Sequence, residues 1–402
     1  MFKLGCRIFQ FGMKVGMNFI KWKKPEMVSG ENSTEKIPEI LKEKGVDSVL
    51  IVTDKGIVNF KLHENLLKVL KANKIKYFVY DKTVPNPTID NIEEGVEMYN
   101  KNTCGAIITI GGGSPMDCAK GIGARVANPK KTITKMRGLL KVKNNLPLLI
   151  AIPTTAGTGS ETTVAAVITD SQTHEKYAVN DPKLVPDYAI LDPKLTVSLP
   201  ASLTATTGMD ALTHAVEAYI GNSNTKETKE NAVVAVKLIF RNLTKAVKNG
   251  NDIDARENMQ KAAFMAGVAF TRAYVGNVHS LAHALGGEYS VPHGLANAIL
   301  LPRVLEFYGK SVYKKIYKLC EDAEILTIHK DPKARCEAFI AKIDEMNKNF
   351  NIPNYIDAIK KADLNKLAKR AYKESNPLYP VPKIMSVKDF EKIYDDLLVN
   401  KY

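Results

Sequence analysis

Residues 279–294 read HSLAHALGGEYSVPHG and hold three of the chain's seven histidines, His279, His283 and His293. His279 and His283 stand four apart in a helical pattern, which puts both imidazoles on one helix face. Asp210 and His214 repeat that relation upstream, in GMDALTHAVEAY. One carboxylate with several imidazoles is a donor set for a borderline divalent cation such as Fe2+ or Zn2+. A single helical histidine is ordinarily a surface or satisfied core residue, so the reading rests on two pairs and a fifth candidate together. Spacing leaves open whether His279 or His283 binds the ion. The glycine pair Gly286–Gly287 is expected to end the helix and return His293 to the same ion. The HExxH motif of zinc proteases is absent, which argues against that hydrolase class. His63, His174 and His329 lie in polar stretches and carry no such pattern.

A second chemistry is written in glycines and hydroxyls. The apolar run GAIITI empties into GGGSPMDCAKGIGA, a strand, a turn of small residues and a helix. Glycines allow close backbone approach, and the first amides of a helix offer free N–H groups to an anion. Ser114 is expected to cap that helix, with Pro115 and Asp117 in its first turn. The run LPLLIAIP leads into TTAGTGSETT, where Thr154, Thr155, Thr158 and Ser160 supply donors without bulk. Two such loops at the carboxyl ends of strands suit a ligand lying across a sheet edge. Neither matches GxGxxG or the Walker motif. Asp54, ending VTD, is placed to accept from a ribose hydroxyl, and an acid there favours NAD over NADP.

These groups must be positioned by two different halves. From residue 46 short apolar runs alternate with helical patterns: VDSVLIVTD, IKYFVYD, GAIITIGGG, LPLLIAIP, VAAVITD and YAILDP. That order predicts a parallel sheet covered on both faces. After about residue 200 long stretches of helical period replace them, among them KETKENAVVAVKLIFRNLTKAV and LANAILLPRVLEFYG. The expected division is 1–26, a basic amphipathic helix; 27–197, an α/β domain; and 198–402, an all-helical domain. Length and average composition support a multidomain globular chain.

The net charge of +14 comes mostly from lysine spread along the chain, without a nucleic-acid motif. Five scattered cysteines without a CxxC pair fit a reducing cytoplasm. The first 26 residues are too often interrupted by Lys and Arg for a membrane span and show no signal-peptide core. The segment is expected to run as a helix toward Pro25 and to pack on its own protein or on a second subunit, rather than on a membrane surface.

The motifs GGGSPMDCAK, PTTAGTGSETT, GMDALTHAVEAY and HSLAHALGGEYSVPHGLANAILLP, in this order, closely resemble the iron-containing (group III) alcohol dehydrogenases. The resemblance runs from about residue 27 to the end. It implies a Rossmann-like N-terminal domain, an all-helical metal-binding domain (the dehydroquinate synthase-like arrangement), and an active site in the cleft between them. It implies metal ligands at Asp210, His214, His279 and His293, and a non-ligand His283 near the nicotinamide as a proton carrier. The implied cofactor contacts are Asp54, Asn86, Gly112, Gly113, Ser114, Asp117, Thr154, Thr155, Thr158, Thr163 and Lys176. The implied activity is reversible hydride transfer between a primary alcohol or diol and NAD(P), in a homo-oligomer, with iron expected and zinc admitted. Alternatives are a glycerol dehydrogenase-like polyol oxidoreductase and an NAD- and metal-dependent lyase of dehydroquinate synthase type. Tyr274, Glu288 and Tyr289 flank the metal motif and are candidates for shaping the substrate pocket.

Overall fold

The computed structural model describes residues 2–17, 19–173 and 175–399, so His174 lies outside the described residues. By its contacts the chain divides into two units, residues 21–198 and residues 1–20 with 199–402. The N-terminal segment thus groups with the helical half instead of standing apart.

In the first unit the strands are β1 (Glu26–Ser29), β2 (Ser48–Val52), β3 (Lys76–Tyr80), β4 (Ala106–Gly111), β5 (Gly138–Leu139), β6 (Leu148–Pro153), β7 (Ala165–Thr169), β8 (Lys176–Asn180) and β9 (Tyr188–Leu191). Six of them form a sheet in the order β1-β9-β6-β4-β2-β3, with every pairing parallel. Its inner strands β2 and β4 are buried at every residue, as a sheet covered on both faces requires. Alternate side chains serve the two layers. Leu50, Val52, Ile107 and Leu149 join one core, and Val49, Ile51, Ile108 and Ile150 join the other.

The helix before these elements is α1 (Phe2–Met17); those of the sheet unit are α2 (Ile37–Glu43), α3 (Lys55–Asn59), α4 (Glu64–Ala72), α5 (Ile89–Lys101) and α6 (Gly113–Ala127). Thr88 starts α5 with a reciprocal capping box to Asn91. Helix α1 ends at Met17, short of Pro25, next to the poor helix former Gly16.

VAAVITD departs from the expected parallel sheet. It forms β7 in a separate three-stranded sheet of order β5-β8-β7, antiparallel to β8. Its burial alternates along the strand, the pattern of a strand covered on one face. The partner strand KYAVN carries Lys and Asn, which hide it among polar residues.

The second unit has helices and no strand among its described residues. After α1 it comprises α7 (Ala201–Ile220), α8 (Lys226–Lys248), α9 (Ile253–Ala273), α10 (Asn277–Tyr289), α11 (His293–Tyr308), α12 (Tyr313–Asp322), α13 (Pro332–Asn349), α14 (Leu364–Ser375) and α15 (Val387–Asp395). Helix α7 is buried without interruption from Gly208 to Ile220, which makes it the central rod of this helical unit. Gly286 and Gly287 do not end α10. The helix runs on to Tyr289 and closes at Ser290, whose φ of 56° supplies the left-handed turn expected of glycine.

Candidate functional site

Three helices bring one set of donors together. Asp210 and His214 lie one turn apart on buried α7, His279 stands in the first turn of α10, and His293 is the first residue of α11. Gly294 lets α11 start close against α7, because a Cβ there would meet the carbonyl oxygen of Thr206 at 2.5 Å. The ligand-capable atoms of Asp210, His214, His279 and His293 all lie within 4.8 Å of one another. Ligands bonded at about 2.1 Å to a tetrahedral ion stand roughly 3.4 Å apart, so the set is near the spacing one cation needs. The His293 Nε2 is 3.4 Å and the His279 Nε2 4.0 Å from Asp210 Oδ1. Asn297, one turn beyond His293, reaches into the group. Its amide nitrogen donates to Asp210 Oδ1 at 2.7 Å and sits 3.2 Å and 3.1 Å from the Nε2 atoms of His279 and His293. Phe270 stacks on His214 at 4.1 Å between ring centroids and walls its far face.

Behind His279 stands a buried carboxylate. Glu217 Oε2 is 2.6 Å from His279 Nδ1, and Glu217 accepts from the backbone N–H groups of Gly276 at 2.7 Å and Val278 at 2.8 Å. A carboxylate accepts only, so the bond calls for Nδ1–H and turns the Nε2 lone pair toward Asp210. Gly276 is required there, since a Cβ would come within 2.6 Å of Glu217 Oε1. Burial pushes Glu217 up to about 7 against the pull of those N–H donors. Burial first, then the neighbouring imidazoles, holds His279 well below the ordinary histidine value. His293 is pushed down to about 4 by burial, with Asp210 opposing and His283 and His214 adding to it. His279 and His293 therefore offer neutral imidazoles to a cation at neutral pH.

His283 does not join this set. Its ring stacks on His293 with centroids 5.2 Å apart, and its Nδ1 lies 2.6 Å from Glu374 Oε1. The same oxygen accepts from the Tyr379 hydroxyl at 2.8 Å. Burial pushes His283 down, but the charge and hydrogen bond of Glu374 outweigh it and the net shift is upward. Of the pocket candidates, Glu288 is engaged by Lys366 and Arg370, and the Tyr289 hydroxyl donates to Asp363. Tyr274 closes α9 at φ 67°, ψ 170°, a strained conformation for a non-glycine residue.

In the sheet unit the two expected loops meet. Thr154 N donates to Gly111 O at 3.0 Å. A Cβ on Gly112 would lie 3.7 Å from Thr155, and one on Gly113 would lie 3.5 Å from Thr158, so the loops face each other across their small residues. Gly111 adopts φ 149°, where Pro115 leaves no room for a side chain. Gly112, not Ser114, is the N-cap of α6, and it leaves the first amides without a side-chain acceptor. Ser114 is already inside the helix, and its hydroxyl accepts from Asn86 N at 3.3 Å, bringing the VPNPT loop alongside. Asp117 lies beyond the first turn and is spent elsewhere, accepting from Ser160 Oγ and Val167 N, both at 3.1 Å. Asp54 caps α3 by accepting from Ile57 N at 3.0 Å, with Oδ2 directed toward Gly111. Lys176 is exposed on β8, paired with Thr169, whose N–H donates to Pro87 O.

Four residues that sequence reasoning passed over hold these groups in place. Lys120 is fully buried and donates to Thr163 Oγ1 at 2.8 Å, Ala165 O at 2.9 Å and Thr163 O at 3.0 Å, with Ser160 Oγ at 3.3 Å. Burial lowers it to about 8 against the pull of Asp117 and Glu161. Glu217, Asn297 and Glu374 are the others. Two had a readable signal: Glu217 follows His214 by three residues on the same helix, and Asn297 follows His293 by one turn.

Known proteins resemble this chain along most of its length. The sequence model described as iron-containing alcohol dehydrogenase matches residues 24–193, and that of the Fe-containing alcohol dehydrogenase family, C-terminal, matches 204–398. The NAD-dependent methanol dehydrogenase of Bacillus methanolicus is 39% identical over 93% of this chain and 98% of its own. The 1,3-propanediol dehydrogenase of Citrobacter freundii is 38% identical over 86% and 90%. Among solved structures, a 1,3-propanediol oxidoreductase superposes with a TM-score of 0.90 at 34% identity, covering 94% of this chain and 100% of its own. An alcohol dehydrogenase from Oenococcus oeni gives 0.89 at 36%, covering 94% and 99%.

Two outcomes are expected of the metal cluster. Glu217→Ala should weaken metal retention about 10- to 100-fold, as loss of an outer-shell partner does, measured by metal content after graded chelation; unchanged retention would contradict the role of Glu217. In metal-free protein, folding of His293 as a neutral imidazole opposes protonation, whereas the unfolded chain takes the proton near the ordinary value. Stability carried by this group should therefore fall as pH is lowered from about 6.5 toward 4. Thermal unfolding of wild type and His293→Asn across that range checks it, and a constant difference between the two would exclude the effect.

Proposed function

The chain belongs to the iron-containing alcohol dehydrogenase family, and on that premise we propose that Asp210, His214, His279 and His293 hold its catalytic divalent cation, with Fe2+ the native ion and Zn2+ admitted by the same donors. Convergence of one carboxylate and three imidazoles from three helices carries this reading. It is a metal-dependent, NAD(P)-linked alcohol dehydrogenase. For substrate we propose a primary alcohol or short diol and the corresponding aldehyde, in line with the methanol and propanediol named for its relatives. A cytoplasmic homo-oligomer is the accompanying expectation.

A cation in this site supplies a Lewis acid for the substrate oxygen. The nicotinamide supplies the hydride acceptor. The remaining work belongs to side chains. Glu217 fixes the His279 tautomer so that Nε2, and not Nδ1–H, faces the donor group. His283 is the proposed proton carrier. Its Nδ1–H donates to Glu374, which leaves Nε2 to take a proton, and the Glu374 carboxylate stabilises the resulting imidazolium. Tyr379 holds that carboxylate in register.

For the cofactor, the uncapped amides at Gly113 and the facing threonines Thr155 and Thr158 offer donors to a diphosphate. Thr154, Thr163, Asn86, Lys176 and the Gly112–Ser114 turn complete the proposed contacts, and Asp117 acts through Ser160. Asp54, beside Gly111, would repel a 2′-phosphate, so NAD(H) is proposed over NADP(H).

Anaerobic purification with metal analysis, followed by NADH and NADPH oxidation against a panel of aldehydes, tests the assignment. His279→Ala should lose metal and turnover together; full activity in metal-depleted protein would contradict the metal's role. His283→Ala should keep the metal while kcat falls about 100-fold, the scale of a lost acid–base group. An unchanged kcat and pH–rate profile would remove the proton carrier.

A further inference from the structure

Helix α1 is docked with its polar side inward. Cys6 and Gln10 form the buried face, Phe2 stacks on Tyr372, and hydrogen bonds add to the anchoring. Arg7 donates to Val381 O at 2.7 Å and Pro382 O at 3.0 Å, Gln10 to Tyr379 O at 2.7 Å, and Lys14 to Asn222 O at 3.0 Å. These contacts hold in place a helix whose Gly5, Gly12 and Gly16 weaken it intrinsically. The sequence pattern pointed to a helix packing on its own protein or on a second subunit; it packs on its own protein, through polar contacts.

The outward face is apolar. Leu4, Ile8, Phe11 and Val15 recur at helical spacing and are exposed by 66%, 65%, 69% and 43%. Phe19, just past the helix, is 87% exposed. A contiguous apolar stripe of this kind marks an interaction surface, unlike single exposed side chains. The family match begins at residue 24, so the stripe lies outside the region that carries the dehydrogenase fold.

Charge decides the occupant. Residues 1–25 contain Lys3, Arg7, Lys14, Lys21, Lys23 and Lys24 and no acidic residue, in a chain of net charge +14, and of these cations Lys23 is paired with Asp187. Lys3, Arg7 and Lys14 line one edge of the stripe, at 100° per residue. Arg7 and Lys14 bond to neutral carbonyls, which leaves their charges uncompensated by carboxylates. A second copy would bring the same cations against themselves. Acidic phospholipid headgroups complement them, and aliphatic and aromatic residues bordered by basic ones suit a helix lying in the headgroup–acyl boundary. No helix among the described residues is long and apolar enough to cross a membrane.

We propose that α1 docks the dehydrogenase onto an anionic lipid surface, with Leu4, Ile8, Phe11 and Val15 inserted and Lys3 at the headgroups, while Arg7 and Lys14 add their charge to the attraction and stay bonded to the protein's own carbonyls. The full chain is sedimented with vesicles of phosphatidylglycerol and phosphatidylcholine, and with phosphatidylcholine alone, at low and high salt. Binding should be at least about tenfold stronger to the anionic vesicles and weaken with salt. I8D/F11D should stay in the supernatant with unchanged helicity, unchanged sedimentation coefficient and unchanged alcohol oxidation. The milder pair I8S/F11S should show the same loss if the charged pair misfolds. Wild-type protein that ignores anionic vesicles, or variants that bind as wild type does, would overturn the proposal. So would a variant that changes the sedimentation coefficient without altering vesicle binding, which would assign the stripe to a second copy.

Discussion

The helical unit turns on one buried carboxylate. Glu217, 4% exposed, accepts from two backbone amides at the start of α10 and from the His279 imidazole. Gly276 at that N-cap makes no side-chain capping bond, so a neighbouring helix provides the acceptor that a Ser or Asp would ordinarily supply. The same contact joins α7 to α10 and orients a donor of the metal cluster. Burying a carboxylate is costly unless its hydrogen bonds are made, and here each oxygen has an N–H partner. Cost and function share one geometry.

The sheet unit repeats the device with the sign reversed. Lys120 is a buried cation surrounded by carbonyl and hydroxyl oxygens of residues 160–165. It fastens the threonine-rich loop to α6, while Thr154 fastens its other end to Gly111. The small residues between these ties are then free to line a ligand site without having to carry the structure. Rigid support behind small residues is what a preorganised anion site needs.

Periodicity and turn chemistry made much of this legible. The buried runs at 48–52, 106–111 and 148–153 read as parallel strands because both faces are apolar. The paired spacing of Asp210 with His214 pointed to one helix face, and the structure adds His279 and His293 to that face. What escaped was set by contacts distant in sequence. Asp117 looked like a helix-terminus acid, but its partners are Ser160 in the threonine-rich loop and Val167 on β7. Gly286–Gly287 looked like a stop, yet α10 runs through both and turns at Ser290. Strand β7 carried an alternating burial that its apolar letters concealed. Glu374, whose contact fixes His283, is 91 residues away from it, and no local pattern connects the two.

The central claim is that three imidazoles and one carboxylate, with His283 excluded, make the metal's protein shell. Anomalous diffraction at the iron edge from anaerobically loaded crystals tests it directly. The account predicts one ion at full occupancy bonded at about 2.1 Å, the length usual for such ligands, to Asp210, His214, His279 and His293, with His283 still on Glu374. An ion coordinated by His283, or a shell without Asp210, would contradict it.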